Sequence, residues 1–341
     1  MQPCEKSKLR IPSSSGSDGR AYGLDFLAAM IVQGTPASRP NHADLAYGQE
    51  SRQVMDVWLA EETRPTPCVM YIHGGGWVSS DKTNIELSGA PEVFLRAGIS
   101  FVSINYRYLP QTIIDSGSTE GKAAIRPRGD YPFAPVSVPL ADIARALQFI
   151  RSRADEWNID PARVAVSGVS AGGCSALWVA FHDNLADPDA SDPLARQSTK
   201  PWCAAVLNAQ TTLDPAQLAD WIPNNIYGGH AFGYVWDRSD KTAEFRSFLA
   251  DRESVAAWIK KYSPYALVTS DDPPVYLYYN SGPPTRGVAQ KDPTHTSNHG
   301  ALLAEKLDRA GVKCEFTHAE SVTPRFKTPA EYLINQLKRK R

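Results

Sequence analysis

The most constraining stretch of this 341-residue chain is a short β-branched run that ends in the pentapeptide Gly168-Val169-Ser170-Ala171-Gly172. An apolar helical pattern over residues 176–180 follows it directly. Strand, sharp turn and helix in this order predict that Ser170 stands at the apex of a strained turn, where neighbouring side chains must be small. There its hydroxyl can reach a general base, and the N–H of Ala171 can point at a developing oxyanion.

A second glycine motif, His73-Gly74-Gly75-Gly76-Trp77, follows the apolar run Cys68–Ile72, which is predicted to be a central strand. Consecutive glycines let the backbone approach a ligand closely and aim successive N–H groups at one point. We therefore predict an oxyanion hole made by the N–H groups of Gly75, Gly76 and Ala171. A phosphate loop is disfavoured because no Gly-Lys-Ser/Thr sequence follows. The histidine that opens the motif is expected to be structural.

Composition excludes several classes of partner. The chain has 36 basic and 37 acidic residues, a formal net charge of −1, which argues against a nucleic-acid or anionic-membrane partner. It holds no apolar run long enough for a transmembrane helix. The polar first ten residues do not resemble a signal peptide, and the compartment stays open. The five cysteines have neither a C-x-x-C pair nor metal-ligand spacing, so no metal is expected.

Strands alternate with helices from residue 54 onward, which predicts an α/β fold with a doubly wound, mostly parallel sheet. Residues 1–43 are predicted to be an N-terminal arm, and residues 44–341 to be one domain. Two segments interrupt the alternation. Residues 110–138 are rich in proline and glycine and are interpreted as a long loop, and the aromatic-rich residues 214–262 as a cap over a pocket more than core packing.

The two glycine motifs, in this order, resemble those of the α/β-hydrolase fold. Within that fold they are similar to serine esterases of the hormone-sensitive-lipase and carbohydrate-esterase type, which include acetyl-xylan and feruloyl esterases. The segments Tyr47-Gly48, Asn105-Tyr106-Arg107-Tyr108 and Trp157–Val164 fit the same pattern. The resemblance covers roughly residues 44–340. It implies an ester hydrolase that needs no cofactor, with a triad in the order serine, acid, histidine, and a small-molecule or carbohydrate ester as substrate.

The acid of the triad is expected on the loop after the predicted strand Val275–Tyr279, at the same end of the sheet as the nucleophile. Asp292 lies on that loop in the register that the resemblance implies, and we predict that it is the acid. Asp271 and Asp272 precede the strand and so belong to the opposite end of the sheet. Asp214, which follows an earlier strand, is the reserve.

The base is where this chain departs from the family. The usual histidine comes shortly after the last strand, but residues 322–326 contain none. We predict His295, on the loop of the acid, as the base that takes the proton of the nucleophile. His318, at or just after the last strand, is the reserve, and His299 is a further candidate. A base supplied differently, or no base at all, also remains open.

Aromatic side chains near the glycine motifs are candidates for substrate contact, and we predict that Trp77 and Tyr106 stack on the bound substrate. The function predicted for the chain is hydrolysis of a carboxylic ester through an acyl-enzyme on Ser170. The alternative is a hydrolase-fold binding protein that lacks the usual base. The sequence leaves the acyl group, the alcohol and the oligomeric state open.

Overall fold

The structure is a computed structural model that describes residues 38–110, 132–234 and 242–339. Its strands are β1 (His42–Ala46), β2 (Val54–Trp58), β3 (Thr66–Ile72), β4 (Ser100–Ile104), β5 (Ile159–Val169), β6 (Ala204–Leu207), β7 (Val275–Tyr279) and β8 (Cys314–His318). Its α-helices are α1 (Glu92–Leu95), α2 (Ser137–Ser152), α3 (Ala171–Phe181), α4 (Pro215–Trp221), α5 (Ala243–Ala250), α6 (Ala256–Tyr262), α7 (Pro264–Leu267), α8 (Ser297–Arg309) and α9 (Pro329–Leu337). Most of the predicted arm and most of the predicted 110–138 loop lie outside the described residues.

The eight described strands form one sheet in the order β1-β2-β4-β3-β5-β6-β7-β8. β2 pairs antiparallel with β1 and β4, and every pairing from β4 to β8 is parallel. The predicted doubly wound, mostly parallel sheet is confirmed. Because parallel strands end at the same edge, the loops after β3, β5 and β7 converge at one end of the sheet, where ligands bind in open α/β sheets.

The central strands are buried because helices cover both faces of the sheet. Every residue of β3 and β4 is buried, which explains why their sequences are nearly continuous apolar runs instead of alternating ones. One apolar cluster includes residues of α2, α3 and α8, and a second includes residues of α1 and α9. This two-sided packing fixes the strand ends from which the candidate site is built.

The aromatic-rich segment 214–262 contains α4, α5 and α6 in its described part. Phe232, Tyr234 and Phe248 are buried and belong to the same apolar cluster as the central strands. Within that part, Tyr227 is the aromatic residue that lines the cleft described below. The expectation that the aromatic content covers a pocket more than it fills a core is therefore wrong for these buried rings, which pack the helices onto the domain.

A buried carboxyl group lies immediately before β7. Asp272 Oδ2 accepts a hydrogen bond from the N–H of Thr269 (2.8 Å), and the nearest cation, Lys200 Nζ, is 3.9 Å from Oδ1. Oδ1 is buried without a hydrogen-bond partner among the described residues. Burial, which these contacts only partly offset, raises the pKa of Asp272 to about 6.

Stability should therefore decrease as pH rises through the interval between the unfolded pKa of Asp272, about 3.9, and its folded pKa. In that interval the folded state binds more protons than the unfolded state. Asp272→Asn should remove this decrease, so that the variant gains on the order of 1–2 kcal/mol relative to wild type between about pH 4 and pH 7. Urea unfolding at both pH values measures this gain, and an unchanged difference between the two proteins would contradict the assignment.

Candidate active site

The serine of the pentapeptide sits at a strained turn between β5 and α3. Ser170 has φ 52° and ψ −122°, a conformation that is costly for a residue with a side chain. Its N–H donates to Leu207 O (3.0 Å), and its carbonyl accepts from Cys174 N (2.8 Å). These bonds to β6 and to the first turn of α3 hold the strained backbone and direct the side chain away from the sheet.

The glycines of the two motifs allow their backbones to meet. A Cβ atom on Gly172 would lie 2.1 Å from Ile72 O and 2.4 Å from His73 O, so the first turn of α3 packs directly on the end of β3. A Cβ on Gly74 would lie 3.4 Å from Ser170 Cβ. The predicted oxyanion loop and the serine turn are therefore in contact.

Gly172→Ala should destabilise the protein by roughly 2–4 kcal/mol, because the new methyl group overlaps two backbone carbonyls that cannot move independently. Gly311→Ala is the matched control. It also replaces a glycine, at φ 76°, but a Cβ there meets nothing within 4 Å. We expect the control to cost only about 1 kcal/mol. Chemical denaturation compares the two variants, and equal losses would refute the close packing of α3 on β3.

The oxyanion loop has the backbone that its glycines predict. Gly75 and Gly76 have φ values of 90° and 61°, and Gly75 O accepts from the N–H groups of Val78 and Ser79 (3.0 Å each). Among the described residues, no protein acceptor receives a hydrogen bond from the N–H of Gly75, Gly76 or Ala171. These three donors are thus available to a bound ligand.

His73 supports this loop. Its Nδ1 donates to Gly74 O (2.8 Å), and its ring stacks on Tyr106 with centroids 4.3 Å apart. Burial lowers the pKa of His73 to about 4, so the ring is neutral at physiological pH. His73 is fully buried, and its Nδ1–H already bonds to the neighbouring carbonyl. It therefore holds the loop in place and does not exchange protons with a substrate.

The structure brings Ser170, His295 and Asp292 into one line of hydrogen bonds. Ser170 Oγ is 2.9 Å from His295 Nε2, and His295 Nδ1 is 2.8 Å from Asp292 Oδ2. Asp292 Oδ1 also accepts from the N–H groups of Thr294 (3.1 Å) and His295 (3.3 Å). Burial alone would raise the pKa of Asp292, but the hydrogen bond and charge of His295 lower it below its usual range. An ionised Asp292 keeps the proton of His295 on Nδ1 and leaves Nε2 to accept from the serine.

The loop that carries Asp292 and His295 is anchored to the domain by amide side chains. Gln210 Nε2 donates to Thr294 O (2.8 Å), and Asn224 Nδ2 donates to Gln290 O (2.8 Å). Thr296 caps α8 by accepting from Asn298 N (3.3 Å). The imidazole is therefore held beside the serine although it belongs to a loop.

The serine and histidine open into a cleft of about 850 Å³. Several of its lining residues come from separate loops that no sequence motif singled out: Glu86, Asn208, Tyr227, Asn280, Gln290 and Lys291. They are polar or charged, apart from the Tyr227 ring. Of these residues, Asn208 alone has an unusual backbone conformation, with φ 50°. Its Oδ1 accepts a hydrogen bond from Asn280 N (2.9 Å).

Comparison with known proteins identifies the family of this chain. The family model described as BD-FAE matches residues 55–126 and 132–292. The chain belongs to the BD-FAE family. Its sheet order and serine turn are those of the α/β-hydrolase fold, and the predicted fold class is confirmed.

One curated relative of this BD-FAE chain is the carboxylesterase NlhH of Mycobacterium tuberculosis, 25% identical over 74% of this chain and 64% of that protein. Across eight curated relatives, the chain spans between 8% and 64% of their length. Two solved structures share the fold. An acetyl ester-xyloside bifunctional hydrolase from Caldicellulosiruptor lactoaceticus superposes with a TM-score of 0.57 (20% identity; 85% of this chain, 89% of that one). Thermogutta terrifontis esterase 2 phosphonylated by sarin gives 0.58 (18% identity; 89% and 94%).

The reserve candidates lie elsewhere in this BD-FAE chain. His318 is the last residue of β8, and its N–H donates to Ser321 Oγ (2.9 Å). His299 is buried within α8, where burial lowers its pKa to about 3. Asp214 caps α4 and pairs with Arg252 (2.7 Å). None of the three lines the cleft.

The prediction that Trp77 and Tyr106 contact the substrate is wrong. Both side chains are buried and lie outside the lining of the cleft. Trp77 Nε1 donates to Ser175 Oγ (2.9 Å), and Tyr106 Oη is within hydrogen-bonding distance of the carbonyls of His73 (2.9 Å) and Gly74 (3.0 Å). They fix the oxyanion loop from behind.

Two absences concern the described ranges, which are residues 38–110, 132–234 and 242–339. No group of three or more His, Cys, Asp or Glu side chains there has an arrangement that could hold a metal ion. The helices there include none that is both long enough and apolar enough to span a membrane.

Proposed function

We propose that this BD-FAE chain is a carboxylic ester hydrolase that works through an acyl-enzyme on Ser170. The observation that carries the proposal is the continuous line from Ser170 Oγ through His295 to Asp292, with contacts of 2.9 and 2.8 Å. A nucleophile within hydrogen-bonding reach of a base, which a carboxylate in turn orients, is the arrangement required for nucleophilic catalysis by serine.

In the first half-reaction, Ser170 Oγ attacks the ester carbonyl carbon while His295 Nε2 takes the hydroxyl proton. Asp292 stabilises the imidazolium that results. The carbonyl oxygen becomes an oxyanion that accepts hydrogen bonds from the N–H groups of Gly75, Gly76 and Ala171. When this tetrahedral intermediate collapses, the bond to the alcohol oxygen breaks, and His295 gives its proton to the departing alcohol.

In the second half-reaction, a water molecule attacks the acyl-enzyme. The His295 side chain is 36% exposed and lines the cleft, which gives water access to it. His295 accepts a proton from the attacking water, and the same three N–H groups stabilise the second oxyanion. Collapse releases the carboxylic acid and returns the proton to Ser170 Oγ.

The lining of the cleft supports a substrate with a polar alcohol or acyl part. Glu86, Asn280 and Lys291 offer both donors and acceptors around the serine. These groups can form hydrogen bonds with the hydroxyl groups of a carbohydrate ester. We propose a small-molecule or carbohydrate ester as substrate, in line with the acetyl ester-xyloside hydrolase that shares the fold.

We also propose that residues 44–341 form one hydrolase domain, in which residues 110–138 and 214–262 are insertions. The helices of the second insertion share an apolar cluster with the central strands, which supports their assignment to the same domain. Strand β1 begins at His42, two residues before the proposed boundary. The alternative, a binding protein, assumed that the chain lacks a base. An imidazole, that of His295, does lie beside the serine, which weighs against this alternative.

A fluorophosphonate probe and a chromogenic ester test the proposal together. We expect the wild-type protein to be labelled with a stoichiometry of about one, to carry the adduct on Ser170 in a peptide digest, and to hydrolyse p-nitrophenyl acetate. Heat-denatured protein is the control and should remain unlabelled. Folded protein that neither reacts with the probe nor hydrolyses the ester would refute the proposal.

A further inference from the structure

A tyrosine hydroxyl lies directly beside the oxyanion loop. Tyr227 belongs to the segment between α4 and the short helical turn Gly229–Phe232, and its side chain lines the same cleft as Ser170. A Cβ atom on Gly76 would lie only 2.6 Å from Tyr227 Oη. The phenol oxygen is thus close to the backbone of Gly76, the residue whose N–H is assigned to the oxyanion hole.

The ring of Tyr227 packs against a histidine that is itself held in place. The His230 ring packs on it with centroids 4.3 Å apart. His230 is itself fixed, because Glu244 Oε1 accepts from its backbone N–H (2.7 Å) and lies 3.4 Å from its Nδ1. Trp77, behind the oxyanion loop, lies 5.9 Å from the His230 ring. The phenol is therefore positioned before any ligand arrives.

The hydroxyl itself is not used by the fold. Among the described residues, no protein group forms a hydrogen bond with Tyr227 Oη. Its oxygen is not one of the buried polar atoms that lack a partner, so solvent reaches it from the cleft. The hydroxyl is therefore accessible to a ligand bound in the cleft.

The hydroxyl also stays protonated. Burial, together with the charge of Glu244, raises the pKa of Tyr227 well above its ordinary value. At any working pH it therefore offers an O–H donor and does not compete with His295 as a base.

We propose that Tyr227 is a further catalytic residue, whose Oη–H donates a hydrogen bond to the ester carbonyl oxygen as that oxygen becomes an oxyanion. It acts alongside the N–H groups of Gly75 and Gly76. This inference rests on the proposed esterase function. A donor fixed at the place where charge develops is stronger in the transition state than in the ground state, so its loss lowers kcat more than it raises KM.

Tyr227→Phe tests this role, since it removes one oxygen atom and leaves the ring. We expect kcat for p-nitrophenyl acetate to fall about 10²-fold with KM nearly unchanged. The inhibition constant of a trifluoromethyl ketone, which forms a tetrahedral adduct with the serine, should rise by a similar factor. Tyr278→Phe is the control, because it removes a phenol oxygen from β7 outside the cleft lining and should leave both constants unchanged.

Fluorophosphonate titration counts the folded, reactive serine in each preparation, so kcat is expressed per active site even if part of the variant misfolds. A Tyr227→Phe kcat within about twofold of wild type would overturn the inference and leave the esterase function intact. A change confined to KM would also overturn it, since it would indicate uniform substrate binding. A wild-type protein that neither reacts nor turns over would overturn the esterase function, and this inference with it.

Discussion

Replacing Ser170 by alanine should lower kcat for ester hydrolysis by about five orders of magnitude. Without Oγ no acyl-enzyme can form, and only direct attack by water, helped by the oxyanion donors, remains. Alanine leaves the strained backbone and its hydrogen bonds to Leu207 and Cys174 in place, so the free energy of unfolding should change little. Steady-state hydrolysis of p-nitrophenyl acetate measures the loss.

Ser152→Ala is the matched control for this substitution. Ser152 Oγ donates to Phe149 O (2.8 Å) at the end of α2, and the residue does not line the cleft. It should retain wild-type kcat. Turnover by Ser170→Ala within about tenfold of wild type would mean that another nucleophile performs the reaction.

Replacing His295 by alanine should lower kcat by about four orders of magnitude. The Ser170 hydroxyl would then have to lose its proton to water, and the departing alcohol would receive none from the enzyme. KM should stay close to the wild-type value, because the imidazole acts on the reacting proton and not on the bound ester. The comparison requires full kinetic curves for both proteins.

His318→Ala provides the control for a lost imidazole. His318 ends β8 and packs beside Phe316, with ring centroids 5.8 Å apart, away from the cleft lining. Its replacement should leave kcat at the wild-type value. If His318→Ala were the inactive variant and His295→Ala the active one, the assignment of the base would be reversed.

Local backbone constraints explain why the sequence predicts the geometry of the two glycine motifs so directly. Positive φ values at Gly75 and Gly76, and the absence of space for a Cβ at Gly172, are requirements that only certain residue types meet. The α/β fold class follows from the same local information, because buried parallel strands are recognisable as apolar runs between helices. It is confirmed by the structure and by the family.

The partner of Ser170 depends on contacts between residues 125 positions apart, which no local pattern encodes. The sequence pointed to His295 because it shares the post-β7 loop with Asp292. The sequence alone does not exclude His318 as the base, because its position depends on the residue at which β8 ends. The strand continues through His318, so this residue remains part of the sheet.

Aromatic residues were the least predictable part of the site. The direction of a side chain at a loop depends on one or two backbone torsions, and Trp77, with φ 60°, points into the core. Tyr106 likewise fills the space behind the oxyanion loop. Tyr227, by contrast, reaches the cleft from the aromatic-rich segment, where its sequence neighbourhood resembles that of the buried rings.

The central claim is that His295 activates Ser170, and the second-order rate of Ser170 phosphonylation by a fluorophosphonate tests it most directly. This reaction reports the nucleophile alone, without alcohol release or deacylation. We expect the rate to fall by about 10³-fold or more in His295→Ala and to match wild type in His318→Ala. Phosphonylation of His295→Ala at the wild-type rate would contradict the claim.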